Sequence, residues 1–189
     1  MQSMLLQLEF IILLKMDFSK GFNVQLATLF GIGKIPGGGT WASLIVLLIA
    51  LYEQNAETAS FLAFFSLIIG SHVYRKLIAV VDSEDPKEYV LDEVIGMGIA
   101  ISGVYIFSSI FNQFSFDLIK NLSAIDELFI VTFIVFRFFD ISKIGPVGWI
   151  ERNWKEKAYF RVIGDDIMAA FLSIIVVISF LSVNLWMLQ

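Results

Sequence analysis

The sequence predicts an all-α integral membrane protein: a helical bundle of about four to five membrane helices, with its active-site loops on the cytoplasmic side. Of the 189 residues, 58% are hydrophobic and 16% are charged, and the mean hydropathy is +0.81. A typical soluble domain is about 45–50% apolar and about 25% charged. The charged side chains gather at the ends of long apolar stretches, where they cost free energy unless something compensates them. We therefore expect residues 1–189 to form a single membrane domain.

Composition also excludes several classes of function. The net charge is −5, and no basic stripe could neutralise the phosphates of a nucleic acid, so we expect no nucleic-acid partner. The chain has no cysteine, which removes thiolate metal sites and cysteine nucleophiles. Its single histidine, His72, removes mechanisms that need two histidines. The sequence leaves the oligomeric state open.

The first twenty residues carry a short apolar run from Phe10 to Leu14. A basic n-region and a small-residue cleavage site are both missing, so we do not interpret this segment as a signal peptide. An interfacial helix over residues 1–20, or an upstream start before Met16, are the two alternatives.

Five apolar segments follow. They are Trp41–Tyr52, Thr58–Tyr74, Val94–Phe111, Leu128–Phe139 and Ile167–Leu188. A spanning helix needs about 20 residues, with a range of about 17–25. The first and fourth segments are shorter than this, so flanking residues must extend them or the bundle must shelter their ends. The sequence therefore predicts five membrane helices, with four as the alternative count.

The distribution of basic residues predicts the orientation. If Gly37–Gly39 is cytoplasmic, Lys120 is the one basic residue outside and the other twelve of the thirteen lie inside. The two inner loops, Arg75–Asp92 and Ser142–Asp165, are then the long, charged ones. Five acids fall on this side: Asp92, Glu93, Asp140, Asp165 and Asp166.

A glycine-rich turn, Phe30 to Thr40, precedes the first apolar segment. Glycines let backbone N–H groups approach an anion, and the start of a helix adds a favourable dipole. Lys34 is followed by Ile35, so this is not a Walker A loop. A phosphate cradle and a flexible turn both remain open.

The acids have two interpretations each. Asp92-Glu93 starts one apolar segment and Asp165-Asp166 is expected to open the last helix, where acids complement the helix dipole. A hard cation such as Mg²⁺ would equally explain why acids stay paired beside apolar helices. Three further residues, Arg137, Asp140 and Lys143, are three apart and share one side of a helix. A structural salt bridge is the alternative for this set.

The ordered motifs resemble the phosphatidylglycerophosphatase A family. They run from about Phe30 to Ala170 and comprise Gly39-Thr40 with Ser43, Asp92-Glu93-Val94-Ile95-Gly96, Arg137 with Asp140 and Lys143, Pro146, Arg152, and Asp165-Asp166. The chain departs from the family pattern at four positions, namely Gly38, Ile144, Glu151 and Ala170. These departures affect loop positions, whereas all the acids are present.

The resemblance implies a multi-pass enzyme of the bacterial inner membrane that removes phosphate from phosphatidylglycerophosphate, an anionic phospholipid, with Mg²⁺ as cofactor. It implies that the five acids are catalytic and hold the metal. The phosphate would be bound by Lys143, Arg137, Arg152, Thr40 and Gly39. The alternative is a non-enzymatic transporter or channel that binds cations through the acidic cluster, which would spread its acids through the membrane depth.

Overall fold

A computed structural model describes residues 21–81, 83, 86–114, 122–154 and 158–187, and the regular structure of these residues is entirely helical. A short helix over residues 21–27 leads to a 3₁₀ turn, Ile32–Lys34. Six α-helices follow: α1 Gly38–Glu53, α2 Glu57–Val81, α3 Leu91–Phe114, α4 Leu122–Ser142, α5 Pro146–Asn153 and α6 Ala158–Met187. The interfacial helix expected for residues 1–20 lies outside the described residues.

Each of the five predicted apolar segments lies in one of the five longer helices as far as the structure describes it, and Leu188 at the end of the last segment is outside the described residues. This confirms the helical bundle. Within the described chain, α2, the Leu91–Ile110 part of α3 and the Ala158–Val183 part of α6 are long and apolar enough to cross a membrane. Helix α1 is apolar but has only 16 residues. Helix α4 carries Asp126 and Glu127 in its second turn and Asp140 in its last turn. These two helices need the bundle around them to reach across a bilayer.

Helix α3 is the central helix, and it packs against α1, α2, α4 and α6. Its core-facing Met97, Ile101 and Val104 are fully buried. At Gly98 the α2 backbone comes so close that a Cβ would lie 2.6 Å from the Ala59 carbonyl oxygen. Small residues at such crossings let membrane helices approach closely and pack through van der Waals contact.

The alternating direction of the helices brings distant motifs to one end of the bundle. The starts of α1, α3 and α6 and the ends of α2 and α4 meet there. The prediction that Asp165-Asp166 opens the last helix is wrong, because α6 begins at Ala158, about two turns earlier. The extra turns form because Val162 and Ile163 are buried, so their burial stabilises helix before the acids.

Candidate active site

Three carboxylates from two helices meet at this end of the bundle. Asp92 and Glu93 lie in the first turn of α3, and Asp166 lies in α6. One oxygen from each of the three lies within 4.8 Å of the other two. Asp92 is 8% exposed and Asp166 is 3% exposed. Like charges this close and this buried repel one another unless a cation or protons neutralise them.

The triad Asp92, Glu93 and Asp166 fits a divalent cation. The Glu93 Oε2 and Asp166 Oδ2 atoms are buried, and no donor among the described residues forms a hydrogen bond to either. An unsatisfied buried acceptor costs free energy, and more so when it is charged. Hard cations such as Mg²⁺ prefer carboxylate oxygens and would satisfy both atoms. Helix capping does not explain Asp166, since it lies inside α6.

The remaining two acids, Asp140 and Asp165, share a lysine beside the triad. Lys143 Nζ donates to Asp165 Oδ2 at 2.5 Å and to Asp140 Oδ1 at 3.4 Å. Lys143 follows the last residue of α4 and has a left-handed φ of 49°. A left-handed backbone is unfavourable for a residue with a side chain and is retained where the surroundings enforce it. In this protein the left-handed residue is Lys143, whose side chain bonds to Asp165 of α6.

The charge state of this lysine follows from its surroundings. Burial lowers the pKa of Lys143, but the carboxylates of Asp165, Asp166 and Asp140 outweigh it and raise the pKa above its ordinary value. Lys143 is therefore a fixed positive charge at neutral pH. Tyr89 is also affected, because burial and the Asp92 carboxylate raise the pKa of its phenol, which keeps its proton.

Arg137 connects the acids to the glycine-rich turn. Its Nη1 atom lies 2.6 Å from Asp140 Oδ2, and its Nη2 atom donates to Thr40 Oγ1 at 3.0 Å. Nη1 also donates to Ser43 Oγ at 3.4 Å. The Arg137 side chain is 13% exposed. This is more than a surface ion pair, because the guanidinium joins α4 to the first turn of α1.

Gly39 meets the triad directly. A Cβ at this position would overlap the Glu93 carboxylate. Glycine is needed here for close approach, since any side chain would push Glu93 away from Asp92 and Asp166. The glycine-rich turn thus contributes to the site by making room for a carboxylate.

A cavity of about 290 Å³ collects these groups. Its lining includes the five acids and Lys143, and also Pro86, Lys87, Tyr89, Glu151, Arg161 and Val162. Acids from α3, α4 and α6 therefore face one small space together with three basic side chains. Such a space suits an anion that is bound through both a cation and positive side chains.

Comparison with known proteins identifies the family of this chain. The family model described as Phosphatidylglycerophosphatase A matches residues 25–181. The chain belongs to the phosphatidylglycerophosphatase A family. It is 29% identical over 171 residues to the phosphatidylglycerophosphatase A of Haemophilus influenzae (strain ATCC 51907 / DSM 11121 / KW20 / Rd), covering 86% of this chain and 89% of that protein. No solved structure matches the chain. Membership makes the chain an enzyme, a phosphoric monoester hydrolase.

The ordered motifs that resemble this family converge in space, except for Arg152 and for Pro146, which is exposed at the start of α5 and is not among the residues that line the cavity. The acids, Arg137 and Lys143 form one contact network, which Thr40 and Gly39 join through Arg137 and Glu93. Arg152 is exposed on α5 and is not among the described residues that line the cavity; its guanidinium lies beside Gly148.

Six residues that line the cavity were not predicted as site residues, and three of them can donate a hydrogen bond to an anion. Lys87, Tyr89 and Arg161 line the cavity. Lys87 and Arg161 do stand out in the sequence as bases a few residues before an acid pair. Tyr89 lies three residues before Asp92, at the border of an apolar segment. Only the packing of the helices shows that all three face the acids.

Replacing Gly39 by alanine is expected to lower phosphatase activity about 10- to 100-fold, the usual effect of disturbing a group that orients a metal ligand, which is the role proposed for Glu93 below. The added methyl group would displace the Glu93 carboxylate. Initial rates of phosphate release from purified protein measure the effect. Gly21→Ala is the matched control, because nothing lies within 4 Å of a Cβ at Gly21. Full activity of Gly39→Ala would show that the position of Glu93 does not matter.

Proposed function

We propose that this protein removes the terminal phosphate of phosphatidylglycerophosphate, giving phosphatidylglycerol and inorganic phosphate, and that it uses Mg²⁺. The observation that supports this most strongly is the convergence of five acids and Lys143 on one cavity at the end of a helical membrane bundle. Family membership and the name of the relative support the lipid phosphomonoester as substrate.

The proposed cation ligands are Asp92, Glu93 and Asp166, whose oxygens already lie close together. When bound, Mg²⁺ neutralises charge on phosphoryl oxygens and makes water a better nucleophile near neutral pH. Asp140 and Asp165 stay beside the triad, each bonded to Lys143. They are placed to orient a water molecule and accept its proton.

Basic side chains would bind the phosphate. Lys143 and Arg161 both line the cavity, Lys143 from the turn after α4 and Arg161 from α6. Arg137 is not among the residues that line the cavity, and we assign it the role of holding Asp140 and Thr40 in place. We assign Arg152 no direct phosphate contact, since it is exposed and outside the cavity lining. We propose instead that Arg161 makes the phosphate contact that was expected of Arg152.

The clustering argues against a permeation pathway. A channel or transporter would need acids through the depth of the membrane, whereas the acids of this cavity lie at one end of α3, α4 and α6 and on the short α5. Beyond the acids, the cores of α3 and α6 are apolar.

Release of inorganic phosphate from phosphatidylglycerophosphate in mixed micelles tests the proposal. The purified protein should produce equal amounts of phosphate and phosphatidylglycerol with Mg²⁺ present. A folded protein that binds the lipid but releases no phosphate with any divalent cation would refute the proposed activity. Phosphatidic acid, which carries a phosphomonoester without the second glycerol, shows whether the head group is selected.

The proposed orientation places the cavity in the cytoplasm, facing the inner leaflet of a bacterial inner membrane. The chain has no cysteine of its own, so single-cysteine variants report accessibility cleanly. Asn153→Cys, at the cavity end, should resist an impermeant thiol reagent in intact cells, while Asn55→Cys, at the other end, should react. The reverse labelling pattern would place the cavity on the outer side.

A further inference from the structure

A second, apolar space lies beside the bundle axis, between α2, α3 and α6. This groove has a volume of about 780 Å³, within the range of roughly 300–1,000 Å³ that is typical of small-molecule sites. The fully buried Ile95 contributes to its floor. Phe64, Phe107 and Phe171 line it as well and are 46–63% exposed, so they form its rims.

The groove lies on the same face of α3 as the acid cavity, next to it along the helix. Asp92 lines the cavity, and Ile99 and Gly103 line the groove. These residues are 7 and 11 positions beyond Asp92, which is close to two and three helical turns of about 3.6 residues each. All three therefore lie on the same face of α3.

The same continuity holds on the other two helices. In α6, Arg161 lines the cavity, and Ile175 lines the groove 14 residues later, close to four turns of about 3.6 residues. In α2, Leu67 lines the groove, and Tyr74 follows about two turns later on the same face. Tyr74 packs edge-on against Tyr89 of the cavity, with ring centroids 5.3 Å apart. Each wall of the groove therefore shares a helix face with a residue that lines the acid cavity or, in α2, with buried Tyr74, which packs against one that does.

The dimensions match one leaflet of a bilayer. From Ile95 to Phe107 the groove follows α3 for 12 residues, or about 18 Å at 1.5 Å per residue. One leaflet contributes about half of a hydrocarbon core that is about 30 Å thick. All three helices that form the groove are candidate membrane spans. A hydrocarbon chain attached to a head group in the cavity would run along this groove.

We propose that the groove binds an acyl chain of the lipid whose phosphomonoester occupies the acid cavity, an inference that rests on the proposed function. Lipid tails are as apolar as the groove, so transfer from bilayer to groove gains little from the hydrophobic effect. The groove instead fixes the direction from which the head group enters the cavity. Correct orientation of a reacting group is a large source of rate enhancement.

Filling the groove tests this. Ile175→Trp should lower kcat/KM about tenfold for dioleoyl phosphatidylglycerophosphate and less than twofold for the dihexanoyl analogue. Ile175 lies about 21 Å beyond Arg161 along α6, so a six-carbon chain does not reach it. Ile134→Trp is the matched control: Ile134 is 59% exposed and Ile175 60%, but Ile134 lies on α4, outside the groove. Equal losses for both lipids, or none for either, would overturn the proposal.

Photolabelling of the wild-type protein gives a readout that does not depend on activity. The reagent is a non-hydrolysable phosphonate analogue of the substrate with a diazirine near the end of one acyl chain. The label should map to peptides containing Phe107, Phe171 or Ile178, which line the groove. Equal labelling by a phosphatidylcholine with the same diazirine would mean that ordinary lipid fills the groove. Labelling only on the outward faces of the helices would mean that another helix covers the groove. Each of these two labelling results would refute the proposal.

Failure of the proposed activity is a separate outcome. In that case the wild-type protein would hydrolyse neither the dioleoyl nor the dihexanoyl lipid. An active wild-type protein whose Ile175→Trp variant matches it on both lipids would instead refute the acyl-chain site alone.

Discussion

Asp166→Asn is expected to lower the rate of phosphate release about 100- to 10,000-fold while the protein stays folded. Asp166 is 3% exposed, and one of its carboxylate oxygens is buried without a hydrogen-bond donor among the described residues. Asparagine keeps the shape but removes the charge that we propose holds the cation. A catalytic cation contributes several kcal/mol of charge stabilisation in the transition state, and each 1.36 kcal/mol is a tenfold change in rate.

The same substitution should have the opposite effect on stability when no divalent cation is present. In the metal-free protein Asp92, Glu93 and Asp166 either repel one another or bind protons to avoid it, and both cost free energy, so replacing one carboxylate by an amide relieves part of that cost. The melting temperature in chelator should rise, by about 2–4 °C for each kcal/mol gained. Glu57→Gln, an exposed acid at the start of α2, is the control and should change neither activity nor stability. An Asp166→Asn variant that keeps most of its activity would remove the triad from the mechanism.

Removal of divalent cations is expected to abolish activity. The triad offers only carboxylate oxygens, and no thiolate exists in the chain, so a hard cation is the expected occupant. Phosphate release should fall to background after dialysis against EDTA and return on addition of Mg²⁺ or Mn²⁺. The melting temperature should also rise with added Mg²⁺, because a ligand that binds the folded state stabilises it.

Two controls show whether the loss of activity in EDTA comes from removal of the cation. Adding excess Mg²⁺ back to the EDTA-treated sample should restore the full rate, which excludes irreversible damage. The Asp166→Asn variant should show no Mg²⁺-dependent rise in melting temperature. Full activity of the wild-type protein in EDTA would contradict a metal mechanism.

Much of the fold follows from local sequence signals. Apolar segments of sufficient length predict helices, and all five predicted segments are helical as far as the structure describes them. Helix boundaries are harder to predict from the sequence. Helix α6 begins at Ala158 because Val162 and Ile163 are buried in tertiary contacts, and no local start signal marks this position. Tertiary packing routinely overrides such local preferences.

The acids and bases of the candidate site stand out in the sequence, but the contacts among them do not. Paired acids beside apolar helices stand out because charge at a membrane border is costly. The contact of Gly39 with Glu93 and the bonds from Arg137 to Thr40 and Ser43 join residues 54 to 97 positions apart, counted from their residue numbers. Such contacts depend on how the helices cross, which no local pattern encodes. The exposed position of Arg152 and the inward position of Arg161 follow from the same packing.

Direct binding of Mn²⁺, followed by the loss of the free-ion signal in electron paramagnetic resonance, tests the proposed cation site most closely. The wild-type protein in detergent should take up one or two equivalents saturably, Mg²⁺ should displace them, and Asp166→Asn should bind at least tenfold more weakly. Glu57→Gln should bind as the wild type does. Equal uptake by wild type and Asp166→Asn, or no saturable uptake by either, would contradict a cation held by Asp92, Glu93 and Asp166.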